Sequence, residues 1–172
     1  MVDEIFDVVD ENDIIIGEAL SSQCHKKGLW HRAVTIFLFN KNGEILVQKR
    51  SPNIARPDKL CASASGHILK GESYIECANR ELKEELGIDA ELRLYSKHLM
   101  KLFYPDGTVD REHYMIFVCN YDGDFALQEE EIVSLDFFSV DKIKDMLKKG
   151  KDIFTPGFRE AFNHYLEHKE NS

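Results

Sequence analysis

No segment of the 172-residue chain restricts its folding more than residues 66 to 88, GHILKGESYIECANRELKEELGI. Gly66 and Gly71 bracket a loop, Ser73 offers a side-chain oxygen to the first turn of a helix, and Gly87 offers a left-handed stop. A helix is therefore expected between Ser73 and Gly87. At about 100° per residue, Ile75, Ala78, Leu82 and Leu86 fall in one apolar sector roughly 80° wide. Glu81 and Glu85 lie together beside that stripe, with Glu84 a little beyond. Such a helix must bury its stripe against another layer while carrying an acidic flank. Like charges one helical turn apart repel by about a few tenths of a kcal/mol per pair, so the flank is unfavourable without a counter-cation. Hard divalent cations take oxygen ligands, commonly a few carboxylates with waters and substrate phosphates, and one bound here would remove the conflict. A solvated Glu-rich face explains a short Arg-Glu-Leu run but not the order of the whole segment.

That order reads Gly, five residues, Glu, seven residues, Arg-Glu, an aliphatic residue, any residue, Glu-Glu, any residue, Gly and an aliphatic residue. It resembles the Nudix box, and every fixed position is present as Gly66, Glu72, Arg80, Glu81, Leu82, Glu84, Glu85, Gly87 and Ile88. With average residue usage, the chance of all of them at one start site is on the order of one in a billion. The resemblance implies an α/β fold of the Nudix type, an α/β/α sandwich with a mixed β-sheet. It also implies attack by water on a phosphorus of a nucleoside diphosphate, or another diphosphate, linked to some group X. By the same resemblance Glu81, Glu84 and Glu85 would ligate Mg²⁺ or Mn²⁺, with a backbone carbonyl near Ser65 or Gly66 completing the site. Arg80 and Glu72 would orient those ligands. The candidate catalytic set is thus Glu72, Arg80, Glu81, Glu84 and Glu85, with Glu131 as a general base, because Nudix enzymes recruit the base either from the box or from a loop after the sheet. Glu131 sits in an acidic turn, Gln128-Glu129-Glu130-Glu131, which otherwise reads as solvated. Arg50, at a strand end, is a candidate bidentate phosphate contact or else an exposed basic terminus; His67 is the other candidate substrate contact.

A second resemblance covers more of the chain. His31-Arg32-Ala33 leading into Phe37-Leu38-Phe39-Asn40, the run Gln48-Lys49-Arg50-Ser51, and Ser65-Gly66-His67 look like isopentenyl-diphosphate isomerase, a relative with the Nudix fold. Those isomerases use three histidines and two carboxylates as a metal site. The matches here are His25, His31, His67, Asp110 and Glu112, with His25 one residue off the bacterial spacing, and imidazoles with carboxylates would suit Mn²⁺, Zn²⁺ or Mg²⁺ if they converge. Two departures point away from isomerisation. The isomerase carries a catalytic cysteine immediately before Gly-His, where this chain has Ser65, and a serine hydroxyl does not replace a thiol of pKa near ~8.5 in proton transfer without an activating neighbour. Isomerases also lose part of the Arg-Glu-x-x-Glu-Glu cluster, which is whole here. The chain reads as a hydrolase in an isomerase-like branch. Isomerase and non-catalytic nucleotide-binding regulatory domain are the alternatives, the second being marked in general by a broken metal cluster.

The remaining sequence agrees with one Nudix domain over residues 1–172, with an N-terminal hairpin extension over 1–30 and the box at 66–88. A hydrophobic content of 43% in 172 residues can bury one core. No apolar run is long enough to span a bilayer, and MVDEIFDVVDEND lacks the basic start and apolar stretch of a secretory signal, so the expected location is cytoplasmic with no membrane partner. Cys24, Cys61, Cys77 and Cys119 form no CxxC pair and read as reduced thiols, Cys77 in the core. A formal net charge of -9 disfavours a nucleic-acid polymer but not a small phosphorylated substrate arriving with its cation. Strands are expected at residues 4–9 and 14–18 as a hairpin, at 31–39 and 44–48 as a second hairpin, at 62–65, and at 91–104 and 111–121 around Pro105-Asp106-Gly107. A further strand is expected at 132–139, a helical turn at 20–27, and helices at 140–148 and 156–168. The N-terminal hairpin offers an edge for a homodimer. Loops at 50–60 and 104–111 are placed to read the X group, with Trp30, Phe103 and Tyr104 as candidate stacking residues.

Overall fold

The computed structural model describes residues 3–170; residues 1, 2, 171 and 172 of the expected 1–172 span lie outside the described residues. The strands are β1 (Ile5–Val9), β2 (Ile15–Leu20), β3 (Trp30–Phe39), β4 (Ile45–Arg50), β5 (Leu60–Cys61), β6 (Ala64–His67), β7 (Arg93–Phe103), β8 (Val109–Asn120) and β9 (Ile132–Phe138). The helices are α1 (Ser21–Lys27), α2 (Tyr74–Leu86), α3 (Val140–Lys149) and α4 (Pro156–Glu170). Alternation along β3 sets the layers. Val34, Ile36 and Leu38 face Ala78, Leu82 and Leu86 of α2 on one side of the sheet. Ala33 and Phe37 face Ile143 of α3 and Phe158, Ala161 and Phe162 of α4 on the other. With a two-residue strand repeat, one strand thereby seeds two cores.

The sheet is mixed: β3 runs parallel to β8 over ten residue pairs, β8 is antiparallel to β7, and β4 is antiparallel to β9. β1 and β2 form a separate two-stranded hairpin, as expected. Its tip is shaped by Asp10, whose Oδ1 accepts from the amides of Asn12 and Ile14 at 2.8 and 3.0 Å.

Two expectations need correction. The hairpin of β3 and β4 holds for a single residue pair, Phe39 with Ile45, before the strands part. β6 then takes the edge of β3 from Ala33 to Ile36. The run Ala62-Ser63-Ala64 is small enough to enter the fork, and its polar groups replace the missing ladder. Ser63 Oγ accepts from Leu38 N at 2.8 Å and donates to Leu46 O at 2.7 Å, while Gln48 Nε2 donates to Ser63 O at 2.9 Å. Second, Ile75 is not in the core stripe of α2 but 42% exposed. The first turn, with Ser73 and Glu76 also exposed, lies beyond the packed layer, and Cys77 is buried instead.

Candidate functional site: a carboxylate cleft beside a three-histidine centre

Helix α2 is fixed at both ends. Ser73 Oγ accepts from Glu76 N while the Glu76 side chain accepts from Ser73 N, a reciprocal cap, and Gly87 ends the helix at φ 68°. Two of the three carboxylates on its acidic flank are withdrawn from bulk water, and Glu84 stays exposed. Glu81 and Glu85 are each only 8% exposed, and with Glu84 they line a cleft of about 590 Å³ that also takes in Ser65, Gly66 and Glu131. Arg80 braces the near side. Its Nε and Nη2 grip both oxygens of Glu72 at 2.9 and 3.0 Å, Nη1 reaches Glu81 at 2.6 Å and Glu84 at 3.1 Å, and Nη2 also donates to His67 O at 3.0 Å. Glu85 is held from the sheet side, accepting from Gln48 Nε2 and, at 3.4 Å, from Ser65 N.

These contacts do not neutralise the flank. Burial pushes Glu81 up to about 7 despite Arg80. Burial, with the Glu81 charge adding to it, pushes Glu85 up to about 8. Even with Arg80 beside them, burial disfavours charge on two of the three carboxylates, which a bound cation would offset. The backbone agrees: a Cβ on Gly66 would overlap the Glu81 carboxylate, so only glycine lets that carboxylate lie against the backbone of β6. Glu81, Glu84 and Glu85 are thus oxygen donors of the kind a hard divalent cation takes, with the Gly66 backbone beside Glu81.

On the other side of β6 a second cluster forms. One ring nitrogen each from His25 on α1, His31 on β3 and His67 on β6 lie within 4.8 Å of one another. Glu112 Oε1 is 3.1 Å from His67 Nε2 and 3.6 Å from His31 Nε2, and Asp110 Oδ1 is 2.6 Å from His25 Nδ1. His31 is fully buried, and its Nδ1 faces Leu29 O at 2.9 Å. Its Nε2 has no hydrogen-bond partner among the described residues. A buried imidazole nitrogen with no hydrogen bond, 3.6 Å from Glu112 in a cluster of three imidazoles, suits a ligand set. Burial opposes charge on His31, but the facing Glu112 outweighs it and the His31 pKa is raised. Glu112 is pulled well below the usual carboxylate range by His31 and His67, against the upward effect of its own burial. Burial also acts upward on Asp110, but the hydrogen bonds from His25 and Tyr104 leave it lowered.

The cleft brings Glu81, Glu84, Glu85, Gly66, Arg80, Glu131 and His67 together, and Glu72 joins through Arg80. The centre brings together His25, His31, His67, Asp110 and Glu112, and His67 borders both. Arg50 points elsewhere in this conformation: its Nε donates to Ala55 O at 2.9 Å, bracing the loop that follows β4. The cation that does reach the centre is Arg56, 3.5 Å from Asp110 and stacked 4.1 Å from the centroid of Tyr104, whose hydroxyl donates to Asp110 at 2.7 Å. Trp30 is buried against His113 and Phe103 is 72% exposed. Sequence reasoning passed over Arg56, Gln48 and Phe6 as site residues. Gln48 carried a signal, a polar residue closing the apolar run Ile45-Leu46-Val47, which demands a buried partner. Phe6 carried none.

The profile of the NUDIX domain matches residues 29–158, and the chain belongs to that family. A relative from Yersinia pestis, named only as an uncharacterized Nudix hydrolase, is 35% identical over 95% of this chain and 86% of its own length. A relative from Photorhabdus laumondii named isopentenyl-diphosphate Delta-isomerase 2 is 29% identical over 94% of this chain and 92% of its own. Among solved structures, DR0079 from Deinococcus radiodurans superposes with a TM-score of 0.79 at 22% identity, covering 94% of this chain and 98% of that one. The α/β fold with its mixed sheet is thus that of the family. Among the described residues no helix is long and apolar enough to cross a membrane.

Proposed function

We propose that the chain hydrolyses a diphosphate linkage in a small phosphorylated metabolite, a nucleoside diphosphate linked to X or a chemically similar compound, with Mg²⁺ or Mn²⁺ as cofactor. The observation that carries this reading is the buried pair Glu81 and Glu85, left short of positive charge beside Gly66 in an open cleft. A divalent cation held there by Glu81, Glu84, Glu85 and the Gly66 carbonyl would neutralise phosphate oxygens and activate water. Arg80 Nη1 holds both Glu81 and Glu84 and is itself fixed by Glu72, and Gln48 holds Glu85. Glu131, which lines the same cleft, would take the proton of the attacking water. With so many carboxylates on its walls, the cleft favours a diphosphate that arrives with its cation over a free polyanion.

The convergent histidines favour a second reading, isomerisation of isopentenyl diphosphate, the reaction in the name of the Photorhabdus relative. Against it stands Ser65, whose position before Gly66-His67 is that of the isomerase cysteine. A panel of nucleotide sugars, nucleoside di- and triphosphates, ADP-ribose, coenzyme A and isopentenyl diphosphate with Mg²⁺ or Mn²⁺ separates the readings. Release of phosphate or nucleotide, abolished by Glu84→Gln and Glu85→Gln, supports hydrolysis. Dimethylallyl diphosphate formed without phosphate release supports isomerisation, and tight binding without turnover supports a regulatory domain.

A further inference from the structure

We propose that Phe6 is a positioning residue for the three-histidine centre, and that a divalent cation in that centre fastens residues 3–28 over the carboxylate cleft. These residues precede the matched domain, yet they contribute to both sites. Phe6, 1% exposed, stacks on His31 at 5.5 Å and on His67 at 5.0 Å between ring centroids, with interplanar angles of 21° and 23°. His25 meets the same phenyl ring edge-on at 6.4 Å. One aromatic ring therefore contacts all three imidazoles and restricts their rotation while leaving the facing nitrogens free.

The segment is seated on the loop that leads from His67 into α2. Lys70 N donates to Ile5 O at 2.9 Å and Gly71 N to Asp7 Oδ2 at 2.9 Å, and Phe6 bridges to Leu69. Asp3, Glu4, Ser21 and Ser22 then form the wall of the cleft contributed by this segment. A cation in the centre would join His25 of the segment to His31 and His67 of the sheet. Any affinity drawn from His25 is then free energy that holds the segment down, and the coupling is reciprocal. Occupancy of the histidine centre thereby controls how complete the neighbouring cleft is. This holds whichever reaction the cleft performs.

The test uses Co²⁺ as the probe, with excess Mg²⁺ present to fill the carboxylate cleft, and reads the visible absorption of Co²⁺ on nitrogen ligands. Phe6→Leu keeps apolar volume but removes the stacking faces. It is expected to bind Co²⁺ about tenfold or more weakly, the range seen when groups behind metal-ligating histidines are removed, with an altered spectrum. In the wild type, Co²⁺ should slow amide hydrogen exchange over residues 5–20. In His25→Ala, which leaves Phe6 in place, that protection should disappear. Wild-type affinity and spectrum in Phe6→Leu, exchange over 5–20 indifferent to Co²⁺ in the wild type, or no Co²⁺ binding by the wild type would each overturn the proposal.

Discussion

Four buried carboxylates on either side of β6 behave in opposite ways. Glu81 and Glu85 are pushed up to about 7 and about 8, whereas Asp110 and Glu112, equally withdrawn from water, are pulled below the ordinary range. Burial acts upward on all four, so the difference lies in their neighbours. Asp110 faces His25, Tyr104 and Arg56, and Glu112 faces two imidazoles. Glu85 faces an amide, a backbone N–H and other carboxylates. One cluster sets imidazoles, a phenol and a guanidinium against its two carboxylates; the other sets a single guanidinium against Glu81 and Glu84 and an amide against Glu85. A single strand of four residues separates them, and His67 contributes its ring to one and its carbonyl, through Arg80, to the other.

If the undercompensated cluster is the reactive one, the largest effect belongs to Glu85. Glu85→Gln should lower kcat/KM for diphosphate hydrolysis about a thousandfold, equivalent to about 4 kcal/mol, measured with the best substrate of the panel. A loss of less than tenfold would remove Glu85 from the chemistry. Gly66→Ala tests the same cluster through the backbone. The new methyl group must displace the Glu81 carboxylate, and a loss of about a hundredfold is expected, accompanied by a higher Mg²⁺ requirement. Gln48→Ala removes a support and not a ligand, so about 10- to 100-fold is expected, again with weakened metal dependence. The opposite cluster should respond differently. Glu112→Gln is expected to weaken Co²⁺ binding at the histidines and to lower hydrolysis by no more than about tenfold, an indirect loss through the cleft wall that His25 helps to hold, because Glu112 itself does not support the carboxylates. A hydrolytic loss equal to that of Glu85→Gln would move the chemistry to the histidine centre and erase the contrast.

The two clusters also differ in how far the sequence revealed them. The carboxylate set lies within one helix, where a 100° repeat fixes which side chains share a flank, so Glu81, Glu84 and Glu85 could be grouped before any tertiary structure was known. Their partners came from other strands. Gln48 reaches Glu85 only because β3 and β4 part and admit β6, and that fork depends on Ser63 replacing ladder hydrogen bonds, which periodicity does not encode. The histidine centre draws on α1, β3, β6 and β8, which no local repeat relates. Its five residues were gathered by resemblance, and Phe6 and Arg56, for which the resemblance supplied no counterpart, were missed. The helix and strand boundaries fared well where a cap or turn residue marked them, as at Ser73, Gly87 and Pro105-Asp106-Gly107.

The smallest expected effect is on stability, and its sign distinguishes the clusters without any substrate. A carboxyl whose folded pKa lies above its unfolded value of 4.5 keeps its proton in the native state after the unfolded chain has lost it. Between about pH 4.5 and 8 the native state then binds more protons than the unfolded one, so this contribution to stability falls as pH rises and levels off above 8. Glu85→Gln abolishes the titration. In chelator, the Tm of Glu85→Gln relative to wild type should therefore increase with pH over that window. Glu112 should act in reverse, because its lowered pKa contributes stability that is present above 4.5 and lost as pH falls. Glu112→Gln should accordingly narrow its Tm deficit on acidification below that value. Added Mg²⁺ should flatten the first difference by pairing the Glu85 charge in the native state. If both variants followed the same pH trend, the two clusters would not be electrostatic opposites, and the contrast between their neighbours would lose its basis.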